Sequence, residues 1–272
     1  MTIRNPAVSG QFYPGQRLQL TRAIKDYVDE KAKKEEVIGA VLPHAGYIYS
    51  GPVAGATVSR ILFKKTFIIL GPNHTGHGKP YAIETSGAWR TPLGDVKIDE
   101  ALAKDILNKS DHLKEDERAH LYEHSIEVEI PFLQYFQEDF EIIPICVVGE
   151  DGAILKKIGL EIASSIKALK KDVVIIASSD MTHYEPQAAA ERKDKEAIDA
   201  ILKLDCDGLL NKVFTLGITM CGYGPTTIML SAAKELGAKS AELVKYQTSG
   251  DITGDYDQVV GYAGIIVKGG RR

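Results

Sequence analysis

The sequence predicts an α/β fold with a mostly parallel or mixed central sheet flanked by helices. Three observations carry that expectation. Short apolar runs rich in β-branched residues recur along the chain. Stretches with helical periodicity separate them. The runs are apolar at nearly every position, as in strands covered on both faces rather than strands with one wet face.

Taken in order, the first helix is expected over 17–34, with Lys31 to Lys34 beside Glu30, Glu35 and Glu36 forming its solvated end. A strand follows over 37–42. A helix over 52–63 would carry Pro52 in its first turn, where a missing N–H costs nothing. The next strand is 67–70. Asp99 can cap a helix over 100–108, and Ser125 one over 126–136, in which Pro131 predicts a kink. Strands over 142–148 and 173–177 enclose a helix over 153–169. Helices over 188–202 and 225–236 come next, with Pro225 in the first turn of the latter. Strands over 241–248 and 258–267, joined by the turn-rich 249–257, close the chain by pairing or by extending the sheet edge.

No repeat, low-complexity tract or Pro/Ser-rich linker divides these elements, so residues 1–272 read as one domain. With 44% hydrophobic and 26% charged residues, the chain has the composition of a protein with a sizeable core. A formal net charge of -4 excludes broad attraction to phosphate backbones or anionic lipid, so neither nucleic acid nor a membrane surface is an expected partner. No segment approaches the roughly 20 apolar residues needed to span a bilayer, and the start of the chain lacks a signal-peptide pattern. The three cysteines form no C-x-x-C pair, which suits a reducing, cytoplasmic setting.

The chemistry gathers where strands run out. Leu42-Pro43-His44-Ala45-Gly46, Leu70-Gly71-Pro72-Asn73-His74 and Ser178-Ser179-Asp180-Met181-Thr182-His183 are polar ends of three strands, the first two bearing Gly and Pro. In open α/β sheets such ends converge on the ligand crevice. Cys221 lies in a glycine-flanked loop before a helix, whose N-terminus would favour a thiolate. Two imidazoles and one anionic ligand make a facial site with open coordination positions. His44, His74 and Cys221 are candidate metal ligands, the competing reading being that either histidine only hydrogen-bonds its loop backbone; Fe(II), Cu and Zn are all chemically reasonable for such a set.

Asp180 and His183, three residues apart, are the candidate acid/base pair, the carboxylate orienting or charging the imidazole. The competing reading makes them a loop-capping Asp and a pocket-lining His. His77 is expected at the pocket mouth, His112 and His120 in solvent, and His124 at a helix start in a capping or supporting part. Cys146 reads as a small core residue, and Cys206 is given no role.

These motifs together resemble the Memo family, whose archaeal and bacterial branch is called AmmeMemoRadiSam system protein B. The resemblance runs nearly end to end. It rests on Pro6-Ala7-Val8-Ser9-Gly10-Gln11-Phe12-Tyr13-Pro14, Pro43-His44-Ala45-Gly46-Tyr47, Gly71-Pro72-Asn73-His74, Trp89-Arg90-Thr91-Pro92-Leu93-Gly94, Glu123-His124-Ser125-Ile126-Glu127, Ser178-Ser179-Asp180-Met181-Thr182-His183, Cys221-Gly222, Ser249-Gly250-Asp251 and Val260-Gly261-Tyr262-Ala263. It implies the fold of LigB-type class III extradiol dioxygenases, non-haem iron enzymes that open catechol rings. It also implies that His44, His74 and Cys221 are the metal ligands, with Asp180 and His183 beside them. Those dioxygenases use two His and a Glu, where this chain has Cys221.

A thiolate in that place points away from ring cleavage and towards metal-linked redox chemistry or metal handling. The leading expectation is thus a metal-binding oxidoreductase, iron- or copper-dependent, acting on a small substrate. A second is a non-catalytic protein that uses a vestigial dioxygenase-like pocket for a peptide or small ligand, with a radical-enzyme partner implied by the family name; the eukaryotic branch resembles signalling proteins that bind phosphotyrosine peptides. A third is zinc-assisted hydrolysis with His183 as base.

Overall fold

A computed structural model describes residues 2–270. Its strands lie in one 12-stranded mixed sheet. The parallel centre is built from β2 (Gly39–Leu42), β3 (Thr66–Pro72), β8 (Glu141–Val147) and β9 (Val173–Ser178), in the spatial order β8-β3-β9-β2. Their side chains are buried at nearly every position, which is why they read as unbroken apolar runs.

Short strands extend both sides. Beyond β8 come β6 (Gly94–Ile98), β5 (Ala88–Thr91) and β1 (Ile3–Arg4), while β4 (Tyr81–Ile83) pairs with both β8 and β7 (Lys114–Glu115). Beyond β2 the long β12 (Val259–Gly269) runs antiparallel and pairs with β11 (Ala238–Thr248) and β10 (His183–Glu185). The two closing strands thus form an antiparallel ladder at one side of the sheet, as the turn-rich segment between them predicts.

The helices are α1 (Arg17–Tyr27), α2 (Tyr47–Val58), α3 (Glu100–Lys109), α4 (Ile130–Phe136), α5 (Gly152–Leu169), α6 (Gln187–Leu202), α7 (Cys206–Thr215), α8 (Tyr223–Glu235) and α9 (Gly250–Thr253). None among the described residues is long and apolar enough to cross a membrane. Asp99 caps α3 as expected, accepting from Leu102 N–H.

Four local expectations fail for physical reasons. The first helix stops at Tyr27 because Asp29 accepts the Lys31 N–H in a local turn that competes with the helix. The lysine run is therefore no helix end, and the Lys34 ammonium lies over the Phe136 ring at 3.9 Å. The second helix starts at Tyr47, not Pro52, because the Tyr47 N–H is taken by the Phe12 carbonyl and Gly46 holds the cap position. Pro131 does not kink α4, since the helix begins at Ile130 and the proline occupies its first turn. Ser125 is spent elsewhere, donating to the Pro72 carbonyl at 2.8 Å. Helix α7 was not anticipated at all; Asp205 caps it through Gly208 N–H, and it buries Leu209, Leu210 and Val213.

Because β2, β3, β8 and β9 are parallel, their carboxyl ends open on one edge of the sheet. That edge carries the site.

Candidate metal centre

His44 follows β2, His74 follows β3, Asp180 follows β9, and Cys221 precedes α8. One ligand atom each from His44, His74 and Cys221 lie within 4.8 Å of one another. The Cys221 Sγ sits 3.2 Å from His44 Nε2. His44 is buried, Cys221 partly so, and His74 is open to solvent, leaving the cluster one accessible side.

Both imidazoles are gripped by their other nitrogen. His44 Nδ1 contacts Ser178 Oγ at 2.7 Å, and His74 Nδ1 contacts Glu123 Oε1 at 3.0 Å. Such partners set the tautomer and aim of a metal-binding imidazole, leaving Nε2 free. Glu123 is fully buried and accepts three backbone N–H groups as well, from His74 at 2.5 Å, His124 at 2.9 Å and Ser125 at 2.9 Å. Burial alone would raise its pKa, but the hydrogen bond and charge of His74, the charge of His124 and the Ser125 N–H bring it down to about 2.

His74, Glu123 and His124 form a second close cluster. With both carboxylate oxygens committed to those donors, Glu123 acts there as an orienting group. The His124 ring stacks on His74 at 4.6 Å and meets Phe12 at 4.7 Å, so it backs the His74 ring.

The backbone N–H of Asp180 donates to Cys221 Sγ at 3.3 Å. Burial, and next the Asp180 carboxylate, push the Cys221 thiol well above its usual range. This corrects the expectation that the helix N-terminus alone favours a thiolate; here the sulfur needs a cation beside it to ionise. The donor set fits a divalent cation: two imidazoles engaged through Nδ1, which leaves Nε2 for a metal, and one cysteine whose thiolate charge the cation would offset.

Asp180 is buried, and its carboxylate accepts from His44 N–H at 2.8 Å, fixing the loop that bears this imidazole. Burial lifts its pKa to about 6 against the opposing pull of His183 and these N–H groups. No hydrogen bond joins it to His183. Instead the His183 ring contacts the Thr219 carbonyl through Nδ1 at 2.9 Å, so Nδ1 carries hydrogen and Nε2 is left as the basic atom. His183 is therefore oriented by Thr219, and Asp180 acts on it only through charge.

His77 stays outside the cluster, exposed and edge-on to Tyr122 at 6.3 Å. His120, expected in solvent, is fully buried, with Nδ1 3.2 Å from Cys146 Sγ. Cys146 is a core residue as read from its apolar run. The residues sequence reasoning passed over are Glu123, Ser178, Glu129 and Thr219. A usable signal existed for one of them, since Glu129 is an acid set between Val128 and Ile130 at the start of the apolar stretch that forms α4.

The pattern of Memo-like proteins matches residues 4–266. The chain belongs to the Memo family. A MEMO1 family protein of Methanococcoides burtonii is 51% identical to it over 98% of this chain and 100% of that protein. Another, from Methanocaldococcus jannaschii, is 45% identical over 98% and 99% of the two chains. The Memo chain also shares its fold with an uncharacterized Escherichia coli protein, JW3007, at a TM-score of 0.55 and 11% identity, covering 85% of this chain and 100% of that one.

Burial also shifts two further imidazoles in this Memo protein. It holds His124 down at about 4 and, with Arg4 nearby, His120 at about 3. As pH falls below about 6.5 the unfolded chain takes up these protons first, so both residues lose stability for the fold on acidification. Asp180, lifted to about 6, and Glu84, lifted to about 7 by burial, act in the opposite direction over the same interval. The clean observable is site-specific. In the metal-free protein the His120 and His124 ring resonances should stay unprotonated at pH 5, and free-histidine titration of either by NMR would refute its burial as the neutral ring.

Proposed function

We propose that this Memo-family chain is a metalloprotein that holds a divalent cation through His44 Nε2, His74 Nε2 and Cys221 Sγ and performs redox chemistry on a small substrate. The supporting observation is that both Nδ1 atoms are already engaged by Ser178 and Glu123 while the remaining nitrogen of His44 faces the one thiol in the cluster. Fe(II) is the first candidate, with Cu and Zn compatible with the same donors. When bound, the cation would supply Lewis-acid polarisation or electron exchange at its open face.

The chain's own groups account for the rest. A cavity of about 140 Å³ adjoins His74 and Cys221 and is lined by Pro72, Val147, Tyr223 and Pro225 among others; it is smaller than the roughly 300–1,000 Å³ of ordinary ligand pockets, so it has room for only a very small substrate. Asp180 holds the His44 loop in place, and His183 Nε2 can take a proton from a substrate or water. Protein purified anaerobically should contain near-stoichiometric metal, and His44→Ala or Cys221→Ala should weaken affinity at least about 100-fold, beyond the loss typical of a supporting partner. Unchanged metal content in both variants would sink the ligand assignment. Protein that binds none of Fe(II), Cu(II) or Zn(II) would favour instead a pocket that serves binding alone.

A further inference from the structure

Ser178 Oγ is the hub of the support behind His44. It lies 2.7 Å from His44 Nδ1, 2.6 Å from the Ser125 carbonyl oxygen and 2.9 Å from Glu129 Oε1. Each contact is a hydrogen bond and needs one hydrogen. The Ser125 carbonyl has none to give, so the single Ser178 hydroxyl proton belongs to that bond. The other two hydrogens must then come from His44 and Glu129.

We infer that Glu129 is a neutral carboxylic acid that donates to Ser178 and is a positioning residue for His44, holding its ring as the Nδ1–H tautomer with the Nε2 lone pair facing Cys221. The alternatives fail on the same count. Were Glu129 ionised, Ser178 would have to donate to it, and two oxygen lone pairs would face each other at the Ser125 carbonyl. Were Ser178 to donate to His44, the proton would sit on Nε2 and block the metal position. The surroundings agree: Glu129 has no exposed surface, and its Oε2 finds no partner, as suits the carbonyl oxygen of an acid more than half of a carboxylate. Burial raises its pKa well above the usual carboxylate range, and the Asp180 charge adds to this against the Ser178 contact.

The hub also joins the two ligand loops. Ser125, whose carbonyl anchors Ser178, donates its own hydroxyl to the Pro72 carbonyl at 2.8 Å, two residues before His74. Glu129 therefore sets the aim of His44 within a frame that also carries the loop of His74.

The test uses the full chain and Co(II) as the probe, read by its thiolate absorption, together with ¹⁵N NMR of the His44 ring in the metal-free protein. Wild type should show the Nδ1–H tautomer. Glu129→Gln, neutral and still a donor, should keep that tautomer and bind Co(II) within about twofold of wild type, whereas Glu129→Leu should mix the tautomers and weaken Co(II) binding about 10–100-fold. If the leucine variant does not fold, Ser178→Ala takes its place with the same expected outcome. A predominant Nε2–H tautomer in wild type, a Glu129→Gln protein that behaves like Ser178→Ala, or a Glu129→Leu protein that matches wild type would each overturn the assignment. The affinity arm rests on the metal-site reading, but the tautomer arm does not. Failure of Co(II) to bind wild type would count against the metal site while the NMR still decides the role of Glu129.

Discussion

Gly222→Ala should destabilise the fold by about 3 kcal/mol and weaken metal binding at least about tenfold. The cause is steric. Gly222 has φ -98° and ψ 25°, angles open to any residue. A Cβ there would lie 2.3 Å from the Ser178 carbonyl oxygen and 2.4 Å from Ser179 Cβ. Ser179 is also pinned by the Gly222 N–H, which donates to its Oγ at 3.0 Å. The Cys221–Gly222 loop therefore rests directly on the end of β9, and any added carbon must push them apart. Since Asp180 N–H contacts Cys221 Sγ and Ser178 holds His44, the displacement would move two proposed ligands relative to each other. Gly15→Ala, whose Cβ would meet nothing nearer than 3.5 Å, is the control and should stay within about 0.5 kcal/mol. Urea unfolding of both variants checks the expectation; a loss below about 1 kcal/mol for Gly222→Ala would show that the loop can yield.

The parallel strands β2, β3, β8 and β9 were legible because strands buried on both faces must be apolar throughout, and the loops after β2, β3 and β9 were legible because chemistry gathers at their carboxyl ends; the short β1, β4, β5, β6, β7 and β10 carry no such run and were not read. Helix starts and stops were less so. Asp29 ends α1 through its own side chain, while α2 begins early through a contact with Phe12, a partner far away in sequence. The groups that orient the ligands were hidden for the same reason. His44 and Ser178 are 134 positions apart, and His74 and Glu123 are 49 apart, so no local pattern links them. His120 misled because its charged neighbours suggest solvent, whereas the fold turns the ring inward beside Cys146.

Arg4→Ala should cost about 3–5 kcal/mol, because it strands a buried carboxylate. Arg4 is 7% exposed, and Glu127 has no exposed surface. The guanidinium donates to Glu127 Oε2 at 2.6 Å, to the His120 carbonyl at 2.9 Å and to the Glu123 carbonyl at 2.6 Å. It also lies over the Trp89 ring at 4.0 Å. Glu127 in turn accepts from Ala7 N–H, Val8 N–H and the Tyr13 hydroxyl, and so organises the N-terminal segment that the resemblance to Memo proteins begins with. Removing the arginine leaves those three donors but takes away the only countercharge bonded to Glu127 among the described residues. Lysine should not rescue, since one ammonium cannot reproduce a planar fork that serves three acceptors. The damage should also reach the proposed metal site, because the Glu123 backbone that Arg4 holds carries the carboxylate that aims His74. An Arg4→Ala protein that unfolds in urea within about 1 kcal/mol of wild type would show that water replaces the pair at little cost. A double-mutant cycle with Glu127→Gln separates the two cases, since a coupling near zero means that Glu127 gains nothing from the arginine.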